Sequence, residues 1–182
     1  MVSSCSVQTS SVDLQAKIVI VDKLFCDHNK GVEGGCIRVQ LFQSLSMRRS
    51  VFKGNKATER GGALSLMGYT YGKTYEVKFE IKNCSFIANQ AREGGAVTIL
   101  ISKFTKTAVE GTVINSEFSA NSAYNKGGAF SIDGNTPTLD TLRFINCIFS
   151  NNSAYIFGGV MTLSEISLLV ISATIENIRL SK

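Results

Sequence analysis

The chain is organised by a repeat in which a phenylalanine precedes a glycine pair at a nearly fixed distance. Five copies are present, and their phenylalanines lie 27, 34, 32 and 31 residues apart. Four of the copies also contain Asn-x-Ala between the two elements. The copies are Phe25 with Gly34-Gly35, Phe52 with Gly61-Gly62, Phe86 with Gly94-Gly95, Phe118 with Gly127-Gly128, and Phe149 with Gly158-Gly159. Such a period predicts a solenoid, because one short unit cannot bury its own apolar face without neighbours.

The residues after each glycine pair indicate which solenoid forms. Apolar residues alternate there with small or polar ones, as at Leu64 and Leu66, which is typical of a strand with one buried face. β-Branched and aromatic residues also dominate residues 77–81 and 170–175, whereas helical repeats need apolar residues at helical spacing. The sequence therefore predicts an all-β, right-handed parallel β-helix of about five coils with three short strands per coil, as one domain over residues 1–182.

Each coil is expected to contain three strands joined by three turns. We place the strands before Asn83, over residues 84–86 and after the glycine pair, with like residues stacked about 4.8 Å apart. An asparagine side-chain ladder is expected at the turn that contains Asn83. The glycine pair is expected to form a sharp bend through positive φ or close backbone approach. The predicted inward columns are phenylalanine, aliphatic residues, and the small residues Ser50, Cys84, Ser116 and Cys147.

The residue before each glycine pair alternates in charge along the stack. The five positions are Glu33, Arg60, Glu93, Lys126 and Phe157. If the coils stack in register, the four charged side chains form a surface ion-pair ladder, which contributes a few tenths of a kcal/mol per contact, to order of magnitude. The ladder therefore predicts the register of the coils.

Longer loops are expected between the last strand of one coil and the first strand of the next. We place them at residues 68–75, 102–110 and 134–140, and expect specific binding there because the loops vary while the coil repeats. Four aromatic residues outside the repeat hint at an exposed row: Tyr69, Tyr71, Tyr75 and Phe104.

Phe-x-x-Asn followed by Gly-Gly-Ala resembles the tandem repeats of chlamydial polymorphic outer membrane proteins and of related β-helical surface proteins of microbes and protists. The resemblance covers about residues 20–163. The first copy departs from it with His28 beside Asn29 and Cys36 after its glycine pair, and the last copy has Val160 after its pair. The resemblance implies a parallel β-helix exposed at a cell surface, with adhesive or immune-facing roles.

We therefore expect an extracellular or cell-surface scaffold or adhesion module that binds other macromolecules through loops and strand faces. Its partners would be proteins, glycans or neighbouring coils of a longer chain. Two alternatives stay open: a glycan-active enzyme or carbohydrate-binding β-helix, and a structural subunit of a large assembly. Because stacked coils leave open edges and neither end has a clear polar cap, the chain is expected to belong to a longer β-helix or to be covered by partner chains.

No residue set in the sequence indicates catalysis. We therefore predict that the protein is not an enzyme and that it has no catalytic, cofactor-binding or metal-binding residues. The best acidic cluster, Asp22, Asp27 and Glu33 with His28, is expected to consist of turn and surface residues. A nucleophile at Cys26 beside His28 would lack a third, orienting group. The five cysteines include no C-x-x-C pair, and we expect buried thiols rather than disulfides.

The net charge of +5 does not indicate nucleic acid, because the basic residues are scattered and not interleaved with aromatics. The densest basic cluster is Arg48, Arg49, Lys53, Lys56 and Arg60.

The most apolar stretch, residues 166–175, is too short to cross a bilayer, so this segment is not expected to insert in a membrane. Residues 1–6 lack the pattern of a signal peptide, so the chain is expected to be either intracellular or a piece of a longer secreted protein.

Two N-glycosylation sequons start at Asn83 and Asn151. The first lies at the expected asparagine ladder and is predicted to be too buried for modification. The second lies in a turn and is the better candidate.

Overall fold

The computed structural model of the chain contains strands and turns, with no helix among the residues it describes. These are residues 2–3, 6–7, 12–15, 17–40, 42–68, 76–101, 108–134, 138–164, 172–176 and 179–181. Within them, therefore, no helix is long and apolar enough to cross a membrane.

The strands follow one another in coils of four. The N-terminal strands are β1 (Val2–Ser3), β2 (Ser6–Val7) and β3 (Val12–Gln15). The first complete coil consists of β4 (Ile18–Asp22), β5 (Phe25–Asp27), β6 (Lys30–Glu33) and β7 (Ile37–Gln40). The second consists of β8 (Ser44–Arg48), β9 (Val51–Lys53), β10 (Lys56–Arg60) and β11 (Leu64–Gly68).

The later coils have the same order. The third consists of β12 (Glu76–Lys82), β13 (Ser85–Ile87), β14 (Gln90–Glu93) and β15 (Val97–Ile101). The fourth consists of β16 (Ala108–Ile114), β17 (Glu117–Ser119), β18 (Ser122–Lys126) and β19 (Phe130–Gly134). The fifth consists of β20 (Thr138–Ile145), β21 (Ile148–Ser150), β22 (Ser153–Ala154) and β23 (Met161–Ser164). The C-terminal strands are β24 (Ser172–Glu176) and β25 (Arg179–Ser181).

Strands at the same place in successive coils pair in parallel, which builds four sheets. We number the sheets in chain order, so that β4, β5, β6 and β7 belong to the first, second, third and fourth sheet. The first and second sheets have seven strands, the third has five and the fourth has six. The predicted fold class, an all-β parallel solenoid, is confirmed. The stack extends past the five predicted coils at both ends, because β1, β2, β3, β24 and β25 continue the sheets.

The predicted number of strands per coil is wrong, because each coil has four strands and not three. The missed strand lies in the third sheet, for example β14 between the asparagine and the glycine pair. Among its residues only Ala91 is buried, so the strand shows no apolar alternation in the sequence. The right-handed sense of the coil stays a prediction, in line with the strong preference of parallel crossover connections.

Each coil has three sharp corners, each made by one residue with positive φ, and the connection to the next coil is a fourth, so the predicted three turns per coil are one too few. In the five complete coils these φ values lie between 48° and 67°. The first-corner residues are Lys23, Arg49, Asn83, Asn115 and Asn146; the second-corner residues are His28, Gly54, Ala88, Ala120 and Asn151. The third-corner residues are the first glycines of the pairs: Gly34, Gly61, Gly94, Gly127 and Gly158. A left-handed residue reverses the chain within one position, which keeps the corner sharp.

In the first four pairs, the second glycine has a different physical role from the first. A Cβ on Gly62 would lie 2.0 Å from the carbonyl oxygen of Gly95, and a Cβ on Gly95 would lie 2.1 Å from that of Gly128. Close backbone approach between coils therefore requires glycine here, while positive φ requires it at the preceding position.

The core contains the predicted phenylalanine column. The rings of Phe52, Phe86, Phe118 and Phe149 stack nearly parallel, with centroids 4.8, 4.8 and 5.0 Å apart. The predicted first member is wrong, because Phe25 pairs with Val51 and its side chain is exposed. The polypeptide is one residue out of step there, and the buried Cys26 occupies the phenylalanine position.

Cys26 is bonded to Cys36 in a disulfide, with Cα atoms 6.2 Å apart. Both residues are buried inside the first complete coil, where Cys36 occupies the position that Ala63 has in the next coil. The expectation of thiols rather than disulfides is therefore wrong for this pair. It failed because aligning the first copy on Phe25 hid the inward position of Cys26.

The other expected thiols are confirmed where the structure describes them. Cys84 and Cys147 are free and buried, and they stack in the predicted small-residue column with Ser50 and Ser116. The backbone N–H of Cys84 donates to the hydroxyl oxygen of Ser116 at 3.1 Å. Cys5 lies outside the described residues.

A buried asparagine ladder runs along the whole stack, at the second corner of each coil. Its members are Asn29, Asn55, Asn89, Asn121 and Asn152. Asn89 is typical: its Nδ2 donates to the Oδ1 of Asn121 and to the carbonyl oxygen of Phe52, each at 3.0 Å. Its Oδ1 accepts from the backbone N–H and the Nδ2 of Asn55, also at 3.0 Å. The amide is thus fully bonded although the first four members are completely buried.

The predicted position of the ladder is wrong. Asn83, Asn115 and Asn146 lie at the first corner, where all three are exposed. Only one side-chain bond is seen among them, from the Nδ2 of Asn146 to the Oδ1 of Asn115 at 3.2 Å. Asparagine occurs there because it tolerates positive φ better than most residues.

The predicted register of the charge ladder is confirmed, because the four charged residues stack with Phe157 bridged to Lys126. The guanidinium of Arg60 lies 3.1 Å from Glu33 and 3.3 Å from Glu93. Lys126 also pairs with Asp133 of the fourth sheet at 2.6 Å.

The fourth sheet has an unexpected outer face. Its inward residues, among them Leu64 and Leu66, are buried as predicted. However, the outward Ser65, Thr98 and Ser131 are completely buried as well, so the strands of the middle coils do not have only one buried face. The hydroxyl of Thr98 donates to the carbonyl oxygen of Glu93 at 2.8 Å, which shows how closely the third corner folds over this face.

Two of the three predicted loops are shorter than predicted at their C-terminal ends. The strands β16 and β20 already begin at Ala108 and Thr138, so residues 108–110 and 138–140 are not loop. The remaining loop segments 69–75, 102–107 and 135–137 lie outside the described residues, as do Tyr69, Tyr71, Tyr75 and Phe104.

Candidate partner-binding face

The acidic residues singled out in the sequence do not converge. The two carboxylate oxygens of Asp22 accept hydrogen bonds from the guanidinium of Arg49, which holds the pKa of Asp22 below its usual value. Asp27 pairs with His28 at 2.6 Å, and Glu33 belongs to the charge ladder. Each carboxylate therefore lies at a different corner and is paired with a different basic side chain. In the described part of the chain, no three His, Cys, Asp or Glu side chains are grouped so that they could hold a metal ion.

The four cysteines that the structure describes are not candidates for nucleophilic chemistry either. Cys26, beside His28, is bonded in the disulfide. Burial raises the pKa of the Cys84 thiol to about 11, and burial also raises the pKa of Cys147. A thiol with a raised pKa is protonated at neutral pH and is a poor nucleophile.

The outer face of the third sheet is the candidate site, because it combines exposed aromatic rings with exposed cations. Two columns of outward side chains run along it, one on each side of the inward column of Gly31 and the alanines. The first column is Lys30, Lys56, Gln90, Ser122 and Ser153. The second column is Val32, Thr58, Arg92, Tyr124 and Tyr155.

The aromatic residues lie toward the C-terminal end of this face. Tyr124 is 65% exposed and Tyr155 is 80% exposed, and their rings stack with centroids 5.6 Å apart. Ile156 and Phe157 are exposed beside them. Exposed apolar side chains grouped in this way are typical of interaction surfaces rather than of a solvated face.

A shallow groove of about 340 Å³ lies on the same face across the second, third and fourth coils. It is lined by Lys56, Ala57, Thr58, Gln90, Ala91, Arg92 and Tyr124. The strand backbone at the inward-pointing Ala57 and Ala91 forms its floor, and the longer side chains of the two outward columns form its walls. Tyr155 covers one face of the Tyr124 ring, so the other face is directed toward Arg92 and the groove.

The groove is electropositive. Its lining contains two cations and no carboxylate. Arg92 pairs with Glu59 at 3.3 Å, and both of these side chains are well exposed. Among the described residues no side-chain partner lies near the amine of Lys56, and Lys30 stands next to it in the same column.

The outer face of the first sheet offers a second cavity, but its charges are already paired. This cavity of about 260 Å³ lies between β8, β12 and β16. Arg48 lies 2.8 Å from Glu80, and Lys78 lies 3.1 Å from Glu110. A charged ligand would have to displace these pairs, so the third sheet is the better candidate face.

Sequence reasoning missed the tyrosines of this face, although a signal was present. Tyr124 and Tyr155 each follow the alanine of Asn-x-Ala, so they occupy the same place in consecutive copies. The predicted burial of the sequon at Asn83 is also wrong, since Asn83 is exposed. Asn151 is exposed at a corner, as expected.

A family model describing the Chlamydia polymorphic membrane protein (Chlamydia_PMP) repeat matches residues 49–66. The matched segment runs from the first-corner residue Arg49 through Phe52, Asn55 and the glycine pair into β11. It therefore contains three corners, the strands β9 and β10 and the start of β11, a pattern that the other copies share. None of the curated proteins and none of the solved structures compared with the chain matches it.

Proposed function

We propose that the chain is a surface-exposed β-solenoid module without enzymatic activity, whose third-sheet outer face binds a macromolecular partner in adhesion. The observation that carries the proposal is the group of exposed aromatic residues on that face, Tyr124, Tyr155 and Phe157. Tyr124 lies on β18, and Tyr155 and Phe157 follow β22, so all three side chains are held by the stack of four parallel sheets. A rigid scaffold lowers the entropy lost on binding.

Two further observations support a location outside the cell. The match to a repeat of a membrane-protein family favours the surface of a cell. The buried Cys26–Cys36 disulfide favours an oxidising compartment, because intracellular thiols are generally kept reduced. The dispersed carboxylates and protonated thiols favour a binding role over catalysis.

The proposal is tested by displaying the full chain on a non-adherent bacterium and counting the cells retained on an epithelial monolayer after washing. The double variant Tyr155→Ser with Phe157→Ser is expected to lower retention several-fold, to order of magnitude, because exposed aromatic anchors contribute much of a binding energy. The matched control is Ile18→Ser, which removes an exposed apolar side chain from the first sheet. Equal retention of the unaltered chain and the double variant would refute a role for the third-sheet face.

A further inference from the structure

We infer that the groove between β10, β14 and β18 is a binding site for an acidic sugar chain, with Tyr124 as its stacking platform. The inference rests on the proposed function, because it names a ligand class for the same third-sheet face. It is carried by the groove itself, which spans three coils and combines an exposed aromatic ring, two cations and two neutral polar side chains.

The chemistry of the lining fits a carbohydrate. An aromatic ring has a negative face that attracts the weakly positive C–H groups of a sugar ring. The amide of Gln90 can both donate to and accept from sugar hydroxyl groups, and so can the hydroxyl of Thr58. These groups surround a floor formed by the strand backbone at Ala57 and Ala91, whose side chains point inward, so a flat ring can approach the sheet.

The charges of the groove favour an acidic sugar over a neutral one. Lys56 and Arg92 lie in adjacent coils, which stand about 4.8 Å apart. A carboxylate or sulfate group on the ligand would form charge-assisted hydrogen bonds with them, and these are stronger than neutral ones. Glu59 pairs with Arg92, so its carboxylate would oppose such a ligand directly.

An acidic peptide fits the groove less well. Peptides that bind sheets commonly add a strand to an open edge and use its main-chain groups. The strands β10, β14 and β18 are interior strands of the third sheet, and each pairs with a neighbour on both sides. The groove therefore offers side chains alone, which suits a ligand rich in hydroxyl and acid groups.

Calorimetric titration of the full chain with three probes tests the inference. The probes are a sulfated, uronic-acid-containing tetrasaccharide, neutral cellotetraose and a short polyglutamate peptide. We expect the sulfated tetrasaccharide to bind measurably, and the other two to bind at least tenfold more weakly, on the order of what charge-assisted bonds and ring stacking contribute. Comparable binding of cellotetraose would overturn the recognition of acid groups, and comparable binding of polyglutamate would overturn the carbohydrate assignment.

Four variants identify the site. Tyr124→Ala is expected to weaken binding of the tetrasaccharide roughly three- to tenfold through loss of ring stacking. Lys56→Gln is expected to weaken it roughly five- to tenfold. Glu59→Gln is expected to strengthen it about twofold, since Arg92 then loses a competing carboxylate. The control Lys78→Gln removes the same charge from the first sheet and is expected to have no effect, and an equal effect of Lys56→Gln and Lys78→Gln would overturn the site.

The result can be separated from that of the proposed function. If the tetrasaccharide does not bind, but displayed cells adhere and lose adhesion in the Tyr155 and Phe157 double variant, the sugar assignment alone is wrong. If the tetrasaccharide binds and displayed cells do not adhere, the groove is a sugar site and the adhesive function is wrong.

Discussion

Two columns of asparagine run along the same solenoid, one at each end of the short strands of the second sheet. The column that includes Asn83 lies at the exposed first corner, where the residue supplies positive φ and its side chain points to solvent. The column that includes Asn89 lies just past the second corner, where the amide is completely buried and bonded to the coils on both sides. Asparagine thus provides the positive-φ backbone conformation in one column and buried side-chain hydrogen bonds in the other.

The two columns differ in how strictly they require asparagine. At the first corner several residue types are accepted, and the first two coils have Lys23 and Arg49 there instead of asparagine. In the buried ladder all five complete coils have asparagine. Only a side-chain amide donates and accepts in the same plane, so a buried polar column with this pattern of bonds has few substitutes.

The largest expected effect is that of Asn89→Ala. The substitution would leave two donors of Asn55 without their acceptor and the carbonyl oxygen of Phe52 without the Nδ2 donor, and it would remove one of the two bonds that the Oδ1 of Asn121 accepts. Because buried groups without partners are costly, we expect the free energy of unfolding to fall by roughly 3–4 kcal/mol. Urea denaturation monitored by circular dichroism measures the change, and a loss no larger than that of Asn83→Ala would contradict the difference between the columns.

A smaller effect is expected of Asn83→Ala. Alanine is less tolerant of positive φ than asparagine, so the free energy of unfolding should fall by about 1 kcal/mol. Asn83→Gly is the matched control and should be nearly neutral, because glycine adopts this conformation readily. If Asn83→Gly destabilises the protein as much as Asn89→Ala, the side chain at the first corner has a role beyond backbone geometry.

The smallest effect is expected of Asp22→Asn at the first corner. Arg49 lowers the pKa of Asp22, so the charged carboxylate is favoured in the folded state. Its stabilisation is therefore present above the unfolded pKa, about 3.9, and is lost as the pH falls through the lower folded pKa. Urea midpoints should be lower for the variant at pH 7 and should converge with those of the unaltered protein at strongly acidic pH. A difference that stays constant with pH would show that the ion pair is not its source.

Much of the fold could be predicted from the sequence because two of its features, the glycine pair and the phenylalanine column, show as local sequence patterns. The glycine pair is visible as a dipeptide, and each glycine is required for one steric reason. Gly94 has positive φ, and at Gly95 the backbone of another coil approaches too closely for a Cβ atom. The stacked phenylalanines follow from the constant distance between Phe86, Phe118 and Phe149.

The errors have a common cause, which is that spacing does not show which way a side chain points. The ladder was assigned to the wrong asparagine because Asn83 and Asn89 both lie at turns. The disulfide was missed because Phe25 and Cys26 differ by one position, and one position in a strand exchanges the inner and outer faces. The candidate site was missed because Tyr124 and Tyr155 become neighbours only when the third sheet is formed.

The most direct test of the proposed surface role is to label intact cells that produce the protein with a membrane-impermeant amine-reactive reagent. Lys30 and Lys56 are exposed on the third-sheet outer face, and labelled peptides can be identified by mass spectrometry. We predict that both lysines are labelled on intact cells to the same extent as after lysis. Labelling of these lysines only after lysis would contradict the account, because the face proposed to bind a partner would then lie inside the cell.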